Sequence, residues 1–311
     1  MSVKLLPLTL ENYSQIIREL EPGLPSLDTL RQHEKACTTE TLLHRIAAVT
    51  PEGRMVGFGL AVTGPWDPIL RPGHFEIQVR VAPDWRGQGI GSAIFNDIER
   101  FTVMHGAVAL KACIGDSQPA ILAWAERRGF AIEHHGFPSR LDLIQFDPTP
   151  FAGVIERTTA SGFRFTSLAE YPQTDEWLAH FMDLWWELSQ DAPGLAGVPR
   201  PEMAYLKQLF TSGPHWDPAG VILAEHDGRW AAFSFLIRWE NGDYYNNMTG
   251  VRREYRGQGL GLAAKLKAIE YARSRGAAYM HTDNDSTNAP MLAINRKLGF
   301  QPKPGIYWLG R

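Results

Sequence analysis

The sequence predicts two similar α/β (α+β) domains in tandem. The chain has 311 residues, and domains usually contain about 100 to 200. An internal repeat supports the division: residues 81–91 read VAPDWRGQGIG and residues 251–261 read VRREYRGQGLG, 170 positions apart. The same offset relates Arg-Gly-Phe at 128–130 to Leu-Gly-Phe at 298–300. We therefore expect domains at residues 1–150 and 151–311, with a Pro-, Gly- and Thr-rich linker near residue 150.

The same order of elements is predicted in each half: strands, a glycine-rich turn, a helix, another strand and a last helix. In the second half, strands are expected near 221–226, 230–239 and 243–251, and Asn241-Gly242 is typical of a hairpin turn. In the first half, residues 74–81 alternate apolar and polar side chains, as a half-buried strand does. Both halves therefore place a glycine-rich turn between a strand and a helix.

Composition excludes several classes of function. A net charge of -3 disfavours general binding of nucleic acids, which need many cations to neutralise phosphates. Two cysteines, Cys37 and Cys113, cannot build a disulfide framework or a thiolate metal cluster. No apolar run reaches 18 residues, and the N-terminus has no signal-peptide pattern. We expect a cytoplasmic protein, monomeric or homodimeric, with small-molecule partners and no nucleic acid, membrane or metal.

The glycine-rich turns are predicted anion sites. Each reads Arg-Gly-Gln-Gly-(Ile or Leu)-Gly, at 86–91 and 256–261. A helix N-terminus presents free backbone N–H groups and the positive end of the helix dipole, and glycines let a diphosphate approach the backbone. Neither turn has the Gly-Lys-Ser/Thr of a Walker loop or the spacing of a dinucleotide fingerprint. A helix start with incidental glycines is the alternative, and two equivalent copies make it the weaker one.

These turns resemble the (Gln/Arg)-x-x-Gly-x-(Gly/Ala) motif of GNAT acetyltransferases, and the order of elements agrees over nearly the whole chain. The resemblance implies two GNAT domains, each with a mixed, mostly antiparallel central sheet flanked by helices and a splayed parallel strand pair. It also implies acetyl-CoA as donor, with its pyrophosphate on the loop amides and its pantetheine arm beside the preceding strand. The implied donor-binding residues are Val79, Val81, Arg86, Gly87, Gln88, Gly89, Ile90 and Gly91 in the first half and Met248, Gly250, Val251, Arg256, Gly257, Gln258, Gly259, Leu260, Gly261, Leu262, Asn288 and Asn295 in the second.

The proton donor for the departing thiolate is not evident. In the family, the last helix commonly begins with Asn and carries, seven residues on, a Tyr that protonates the thiolate. This sequence has Asn288 and then Asn295 in the second half, and Gln118 and then Ala125 in the first. Water or another residue replaces the Tyr, or the helix is shifted. Tyr307 is a substitute candidate.

Candidates for the general base differ between the halves. The first half offers Glu76, which aligns with Asn246 at the offset of 170, whereas the second half offers His281 and Asp283 after its next strand. An outward salt bridge for Glu76, and a solvated turn with a helix cap for the other two, are the structural alternatives. We favour catalysis in the second half because polar groups concentrate where the parallel strands should separate. The first half is either a second active site or binds acyl-CoA without turnover.

The expected function is direct transfer of an acetyl group from acetyl-CoA to a primary amine of a small molecule. Asp191 and Glu202 lie in an aromatic-rich helical pair where the family places acceptor-binding residues, although most of that segment should be core. Two alternatives stay open: a non-catalytic acyl-CoA sensor or scaffold, and an acetyltransferase acting on protein or peptide amines.

Overall fold

A computed structural model describes residues 3–20, 27–28, 30–31, 41–64, 71–193, 195, 197–211 and 215–311, without the side chains of 209 and 210. Cys37 lies outside the described residues. The chain forms two compact units. Unit 1 comprises Met1–Ile114, Gln118–Glu133 and Tyr307–Arg311, and unit 2 comprises Gly115–Ser117 and His134–Ile306.

Unit 1 is a mostly antiparallel sheet with helices. Its elements are β1 (Lys4–Pro7), α1 (Leu10–Leu20), β2 (Leu42–Val49), β3 (Met55–Thr63), β4 (His74–Val81), α2 (Ile90–Met104), β5 (Ala109–Gly115), α3 (Pro119–Glu126) and the final strand β13 (Ile306–Gly310). These strands run in the order β1-β2-β3-β4-β5-β13, and β4 and β5 pair in parallel. Its core includes Phe75, Ile77, Ile94 and Phe95.

Unit 2 repeats this plan. Its elements are β6 (Ala131–Asp142), α4 (Val154–Ala160), β7 (Arg164–Ser167), α5 (Asp175–Ser189), α6 (Met203–Thr211), β8 (Val221–His226), β9 (Arg229–Arg238), β10 (Tyr244–Val251), α7 (Leu260–Ser274), β11 (Tyr279–Asp285), α8 (Ala289–Leu298) and β12 (Gln301–Pro302). The strands run in the order β6-β11-β10-β9-β8-β7, and β12 pairs β6. Strands β10 and β11 pair in parallel, whereas the pairs β10–β9, β11–β6, β12–β6, β7–β8 and β8–β9 are antiparallel. One core packs the sheet on α7, and another packs it on α5 and α6.

The parallel pair in each unit is short and then separates. Strands β4 and β5 pair only from His74–Ala109 to Glu76–Lys111. Strands β10 and β11 pair only at Tyr244–Met280 and Tyr245–His281. Beyond these pairs a cleft opens between the two strands, and we call its closed end the vertex. The predicted mixed sheet with a splayed parallel pair is confirmed in both units.

The last strand of each half of the sequence lies in the other compact unit. Beside β5 of unit 1 lies β13, from the end of the chain, with Leu110 and Arg311 exchanging backbone hydrogen bonds of 2.7 and 3.0 Å. Beside β11 of unit 2 lies β6, from the first half of the sequence, in regular antiparallel register. The predicted domain boundary near residue 150 separates the sequence repeats and stays a prediction. Within the described residues, no helix combines the length and apolar character needed to span a membrane.

Candidate active site

The two glycine-rich turns have the same backbone geometry. In unit 1, Gly87 and Gly89 adopt φ of 75° and 82° before α2; in unit 2, Gly257 and Gly259 adopt 78° and 79° before α7. A Cβ at any of the four would meet no heavy atom within 4 Å. Glycine is therefore required by the left-handed backbone rather than by crowding. Both turns leave open space in front of a helix N-terminus, so the residues present fit a bound pyrophosphate.

Arginine side chains fasten each turn to the strand before it. Arg86 Nε donates to the Val81 carbonyl and Arg256 Nε to the Val251 carbonyl, each at 3.0 Å. In unit 2, Arg256 also pairs with Asp191, which lies just beyond the end of α5. Arg253 donates to the other oxygen of Asp191 at 2.5 Å. These hydrogen bonds lower the pKa of the Asp191 carboxyl.

The other predicted donor-binding residues of the turns and strands differ in how far they are buried. Ile90 and Leu260 are core residues, whereas Gln88 and Gln258 are exposed. Gly250 is a close approach, because a Cβ there would lie 2.8 Å from Leu188 Cδ1. The remaining predicted donor-binding positions are half-buried on the strands before the turns and at the start of α7: Val79, Val81, Met248, Val251 and Leu262.

The third glycine of each turn faces a different side chain of the last helix. A Cβ at Gly91 would lie 3.8 Å from the indole of Trp124, and a Cβ at Gly261 would lie 3.2 Å from Ile294 Cδ1. Trp124 in turn carries the Arg128 guanidinium 3.7 Å above its ring, and Arg128 donates to Ser92 Oγ at 2.6 Å. The start of α2 therefore has a bulky aromatic and a cation beside it, whereas the aliphatic side chain of Ile294 lies beside the start of α7.

Only the strand before the second turn carries a β-bulge. Strand β4 pairs with β3 in unbroken register from Glu76 to Val81, whereas β10 shifts register against β9 between Asn246 and Met248. The Asn246 side chain is buried and donates to Ser234 Oγ at 2.9 Å and to the Phe235 carbonyl at 3.2 Å. A bulge turns backbone groups out of the ladder, so it alters the wall of the unit 2 cleft.

The bulge also changes the internal alignment. Glu76 pairs with Lys111 across the parallel strands of unit 1, and Tyr245 pairs with His281 in unit 2. Since Lys111 and His281 are 170 positions apart, the structural counterpart of Glu76 is Tyr245. The expected counterpart, Asn246, is wrong by one residue, because the extra residue of the bulge lies between this position and the turn.

Two polar pairs flank the vertex of unit 2. His281 Nε2 lies 3.2 Å from Asp243 Oδ2, and Tyr245 donates its hydroxyl to Asp283 Oδ2 at 2.8 Å. The ring of Trp239 stacks on His281 with 4.4 Å between centroids. Burial, followed by the charge of Asp283, raises the pKa of Tyr245 well above its usual range. Asp283 itself is exposed, so a carboxylate and an imidazole reach the surface here.

The vertex of unit 1 carries different chemistry. Lys111, the counterpart of His281, forms an ion pair of 2.5 Å with Glu133. Cys113 stands where Asp283 stands in unit 2, and burial together with the charge of Glu76 raises the pKa of its thiol to about 11. The thiol is therefore protonated at neutral pH. A lysine ion pair and a neutral thiol replace the imidazole and carboxylate.

The remaining candidates do other work in the fold. Asn288 caps α8, accepting from the Met291 N–H at 3.3 Å, and Asn295 is buried and hydrogen-bonded to Lys265 and Asn284. Tyr307 belongs to unit 1 and packs against its core. Glu202 is exposed before α6.

The structure thus brings His281 and Asp283 together in unit 2, whereas Glu76 and Tyr307 belong to unit 1. Sequence reasoning missed Trp239, Asp243 and Tyr245, although all three flank the predicted Asn241-Gly242 turn. Within the described residues, no group of three or more His, Cys, Asp or Glu is placed to hold a metal.

Similar proteins agree with this geometry. The model of the Acetyltransferase (GNAT) family matches residues 11–130 and 178–300. The mycothiol acetyltransferase of Acidothermus cellulolyticus is 27% identical over 267 residues, which cover 80% of this chain and 74% of that protein. The mycothiol acetyltransferase of Frankia casuarinae is 26% identical over 299 residues, which cover 89% and 76%.

Solved structures show the same fold over the full length. A GCN5-related N-acetyltransferase from Sphaerobacter thermophilus aligns with a TM-score of 0.69 at 19% identity, covering 99% of this chain and 95% of the other. A tandem GNAT protein from the clavulanic acid biosynthesis pathway aligns with a TM-score of 0.62 at 21% identity, covering 100% and 98%. The glycine turns, the two splayed sheets, the family match and these relatives lead to one conclusion: the chain is an N-acetyltransferase of tandem architecture that belongs to the GNAT family.

Proposed function

We propose that this protein transfers an acetyl group from acetyl-CoA directly to a primary amine of a small molecule, and that unit 2 performs the reaction. The observation that carries the proposal is the hydrogen bond between His281 and Asp243 at the vertex of the unit 2 cleft. Unit 1 has the Lys111–Glu133 ion pair in the corresponding place. The vertex of unit 2 therefore offers an imidazole that a carboxylate orients, whereas the carboxylate of Glu76 in unit 1 lies at the strand position that pairs with Lys111.

Donor binding in unit 2 involves the turn and the bulged strand. The backbone N–H groups at the start of α7 and the left-handed Gly257 and Gly259 are suited to the pyrophosphate of acetyl-CoA. The strand from Met248 to Val251 is suited to the pantetheine arm, because the separation from β11 leaves its backbone groups on that side without a strand partner. When bound, acetyl-CoA supplies the thioester that the amine attacks.

The roles of His281 and Asp243 follow from hydrogen-bond chemistry. An ionised carboxylate only accepts hydrogen bonds, so the Nε2 of a neutral His281 carries the proton that faces Asp243. The lone pair then lies on Nδ1, which takes the proton of the incoming ammonium and leaves a nucleophilic amine. Asp243 is buried and also accepts from the Tyr279 N–H at 3.1 Å, so its orientation is fixed. Asp243 is thus a positioning residue, and His281 is the base.

The acceptor is a cationic small molecule that binds beside Trp239 and Asp283. Asp283 is an exposed carboxylate, and the Trp239 ring is 40% exposed, so charge and an aromatic face are offered together. The relatives named mycothiol acetyltransferase support a small-molecule amine over a peptide amine. A small molecule that carries a primary amine is therefore the first class of acceptor to examine.

Unit 1 binds acyl-CoA without turnover in this proposal. Its turn has the same left-handed glycines as unit 2. Its vertex holds Lys111 and Cys113 instead of an imidazole and a carboxylate, and Trp124 lies beside the start of α2. The sensor or scaffold role thus applies to this half of the molecule.

A transfer assay with a panel of amines tests the proposal. Release of the CoA thiol is followed with amino sugars, polyamines and N-terminal peptides, each with wild type, His281→Gln and Lys111→Gln. We expect the small-molecule amines to react better than the peptides, His281→Gln to lose activity and Lys111→Gln to keep it. Activity that survives His281→Gln but not Lys111→Gln would move catalysis to unit 1, and a preference for peptides would overturn the acceptor class.

A further inference from the structure

A buried lysine in unit 2 is not used by the proposed chemistry. Lys265 lies on α7, is 2% exposed, and donates from Nζ to Asn295 Oδ1 at 2.6 Å. Nζ also lies 5.0 Å from the centre of the Phe300 ring. Burial of a lysine amine among apolar groups costs stability. A role other than stability would explain why the lysine is there.

Lys265 begins a directed chain of hydrogen bonds. Lys265 Nζ donates to the oxygen of Asn295, which leaves the amide group of Asn295 turned away from the lysine. Asn295 Nδ2 then donates to Asn284 Oδ1 at 2.7 Å. Asn284 Nδ2 donates in turn to Ser139 Oγ at 2.8 Å and to the Phe137 carbonyl at 3.0 Å. One buried amine therefore sets the orientation of two buried amides.

The chain connects the elements that surround the donor cleft. It starts on α7, which begins at the anion-binding turn, passes through α8, and ends where β11 pairs with β6. Asn284 lies three residues beyond His281, the last residue of β11 that pairs with β10. The chain is thus attached to the part of β11 that forms one wall of the cleft.

Unit 1 builds the same scaffold without any of these polar groups. At the positions 170 residues away, Lys265 is replaced by Phe95, Asn295 by Ala125, Asn284 by Ile114 and Ser139 by Leu309. All four replacements belong to one apolar core. Because the fold forms with apolar residues, and such replacements are often neutral or stabilising, the polar chain in unit 2 is not explained by stability.

We infer that Lys265 is a positioning residue for the donor cleft of unit 2, holding the separated half of β11 through Asn295 and Asn284 in the place that donor binding needs. The inference rests on the proposed function of unit 2. The lysine side chain acts through the two amides and contacts none of the proposed reacting groups. Its removal is expected to weaken donor binding more than it slows the chemical step.

Calorimetry with CoA as the probe tests this in a chain whose unit 1 turn is disabled by Gly89→Val. In that background we compare Lys265→Met, the fourfold change Lys265→Phe, Asn295→Ala, Asn284→Ile and Ser139→Leu, and the control Lys267→Met. Lys267 lies on the same helix and forms only a surface pair with Glu270 at 2.9 Å. Urea unfolding measures stability, and steady-state assays separate the KM for acetyl-CoA from kcat.

Both the single and the fourfold variant are expected to fold with an unchanged or higher unfolding midpoint. The Kd for CoA and the KM for acetyl-CoA should rise about tenfold or more, which corresponds to about 1.4 kcal/mol, while kcat changes less. Lys267→Met should match the background. Unchanged CoA affinity in a folded variant would overturn the inference. Unfolding of both variants would also overturn it, since the chain of hydrogen bonds would then serve stability. If the background itself binds no CoA, the proposed donor site of unit 2 fails instead.

Discussion

Arg253 donates a 2.5 Å hydrogen bond to Asp191, which places a carboxylate beside the anion-binding turn of unit 2. Arg256 shares the same carboxylate. Because both hydrogen bonds lower the pKa of Asp191, the group is negatively charged at neutral pH and opposes an incoming diphosphate.

The change Asp191→Asn is therefore expected to tighten CoA binding to unit 2 by about two- to fivefold. The effect should be larger at low ionic strength, since exposed charges are screened by salt. Calorimetry at two salt concentrations measures it. Glu187→Gln, which alters the 2.8 Å pair with Arg252 farther from the turn, serves as the control. Weaker binding by Asp191→Asn would instead mean that the carboxylate holds the arginines in a binding conformation.

Removal of the base should affect the chemical step. For His281→Gln we expect kcat to fall by about 10²- to 10³-fold with little change in the KM for acetyl-CoA, because the side chain lies at the vertex and not at the turn. Asp243→Asn should give a smaller loss in kcat, since it disturbs only the orientation of His281. A higher KM with an unchanged kcat in either variant would contradict these roles.

The buried lysine predicts a rise of stability with pH. Burial lowers the pKa of Lys265 from 10.5 to about 7 in the folded protein. Between these values the unfolded chain binds more protons, so the free energy of unfolding rises with pH, by up to about 1.4 kcal/mol per pH unit. Below pH 7 Lys265 is protonated in both the folded and the unfolded state, and the folded protein then bears the full cost of burying the charge. Urea unfolding at about pH 7.5, 8.5 and 9.5 should show this slope in wild type and a smaller one in Lys265→Met; equal slopes would contradict a neutral lysine in the fold.

Single changes in the turns should remove the donor sites one at a time. Gly259→Val and Gly89→Val force a β-branched residue to φ near 80°, which strains the backbone by about 1 to 3 kcal/mol and reshapes the turn. Both glycines are exposed, so the cores should survive. Calorimetry should give two CoA sites in wild type and one in each variant. Two sites in either variant would contradict the assignment of its turn.

Much of the fold was predictable because the repeat carries strong local signals. The strand before each turn, the glycine-rich turn and the helix after it depend on local pattern and backbone sterics, and all three were predicted in both halves. The left-handed conformation of the glycines is seen only in the structure. The strands expected near 221–226, 230–239 and 243–251 are observed at Val221–His226, Arg229–Arg238 and Tyr244–Val251.

The features that sequence reasoning missed depend on nonlocal pairing. The bulge between Asn246 and Met248 shifts the counterpart of Glu76 by one residue. The constant offset between the two repeats cannot reveal an extra residue that is accommodated within a strand. The place of Tyr307 in unit 1 depends on which sheet its strand joins. Lys265 lies at helical spacing from the buried residues Ile269 and Ala272, but the local pattern could not show that Asn295 accepts a hydrogen bond from it in the core.

The exchanged closing strands also constrain how such a chain can evolve. After most gene duplications, one copy can be lost or transferred without harm to the other. Here β6 is encoded with the first half but completes the edge of β11, and β13 is encoded with the second half but completes the edge of β5. Deletion of either copy would expose a strand edge in the survivor. Selection would therefore retain the first half even without turnover there, because its sister needs the strand.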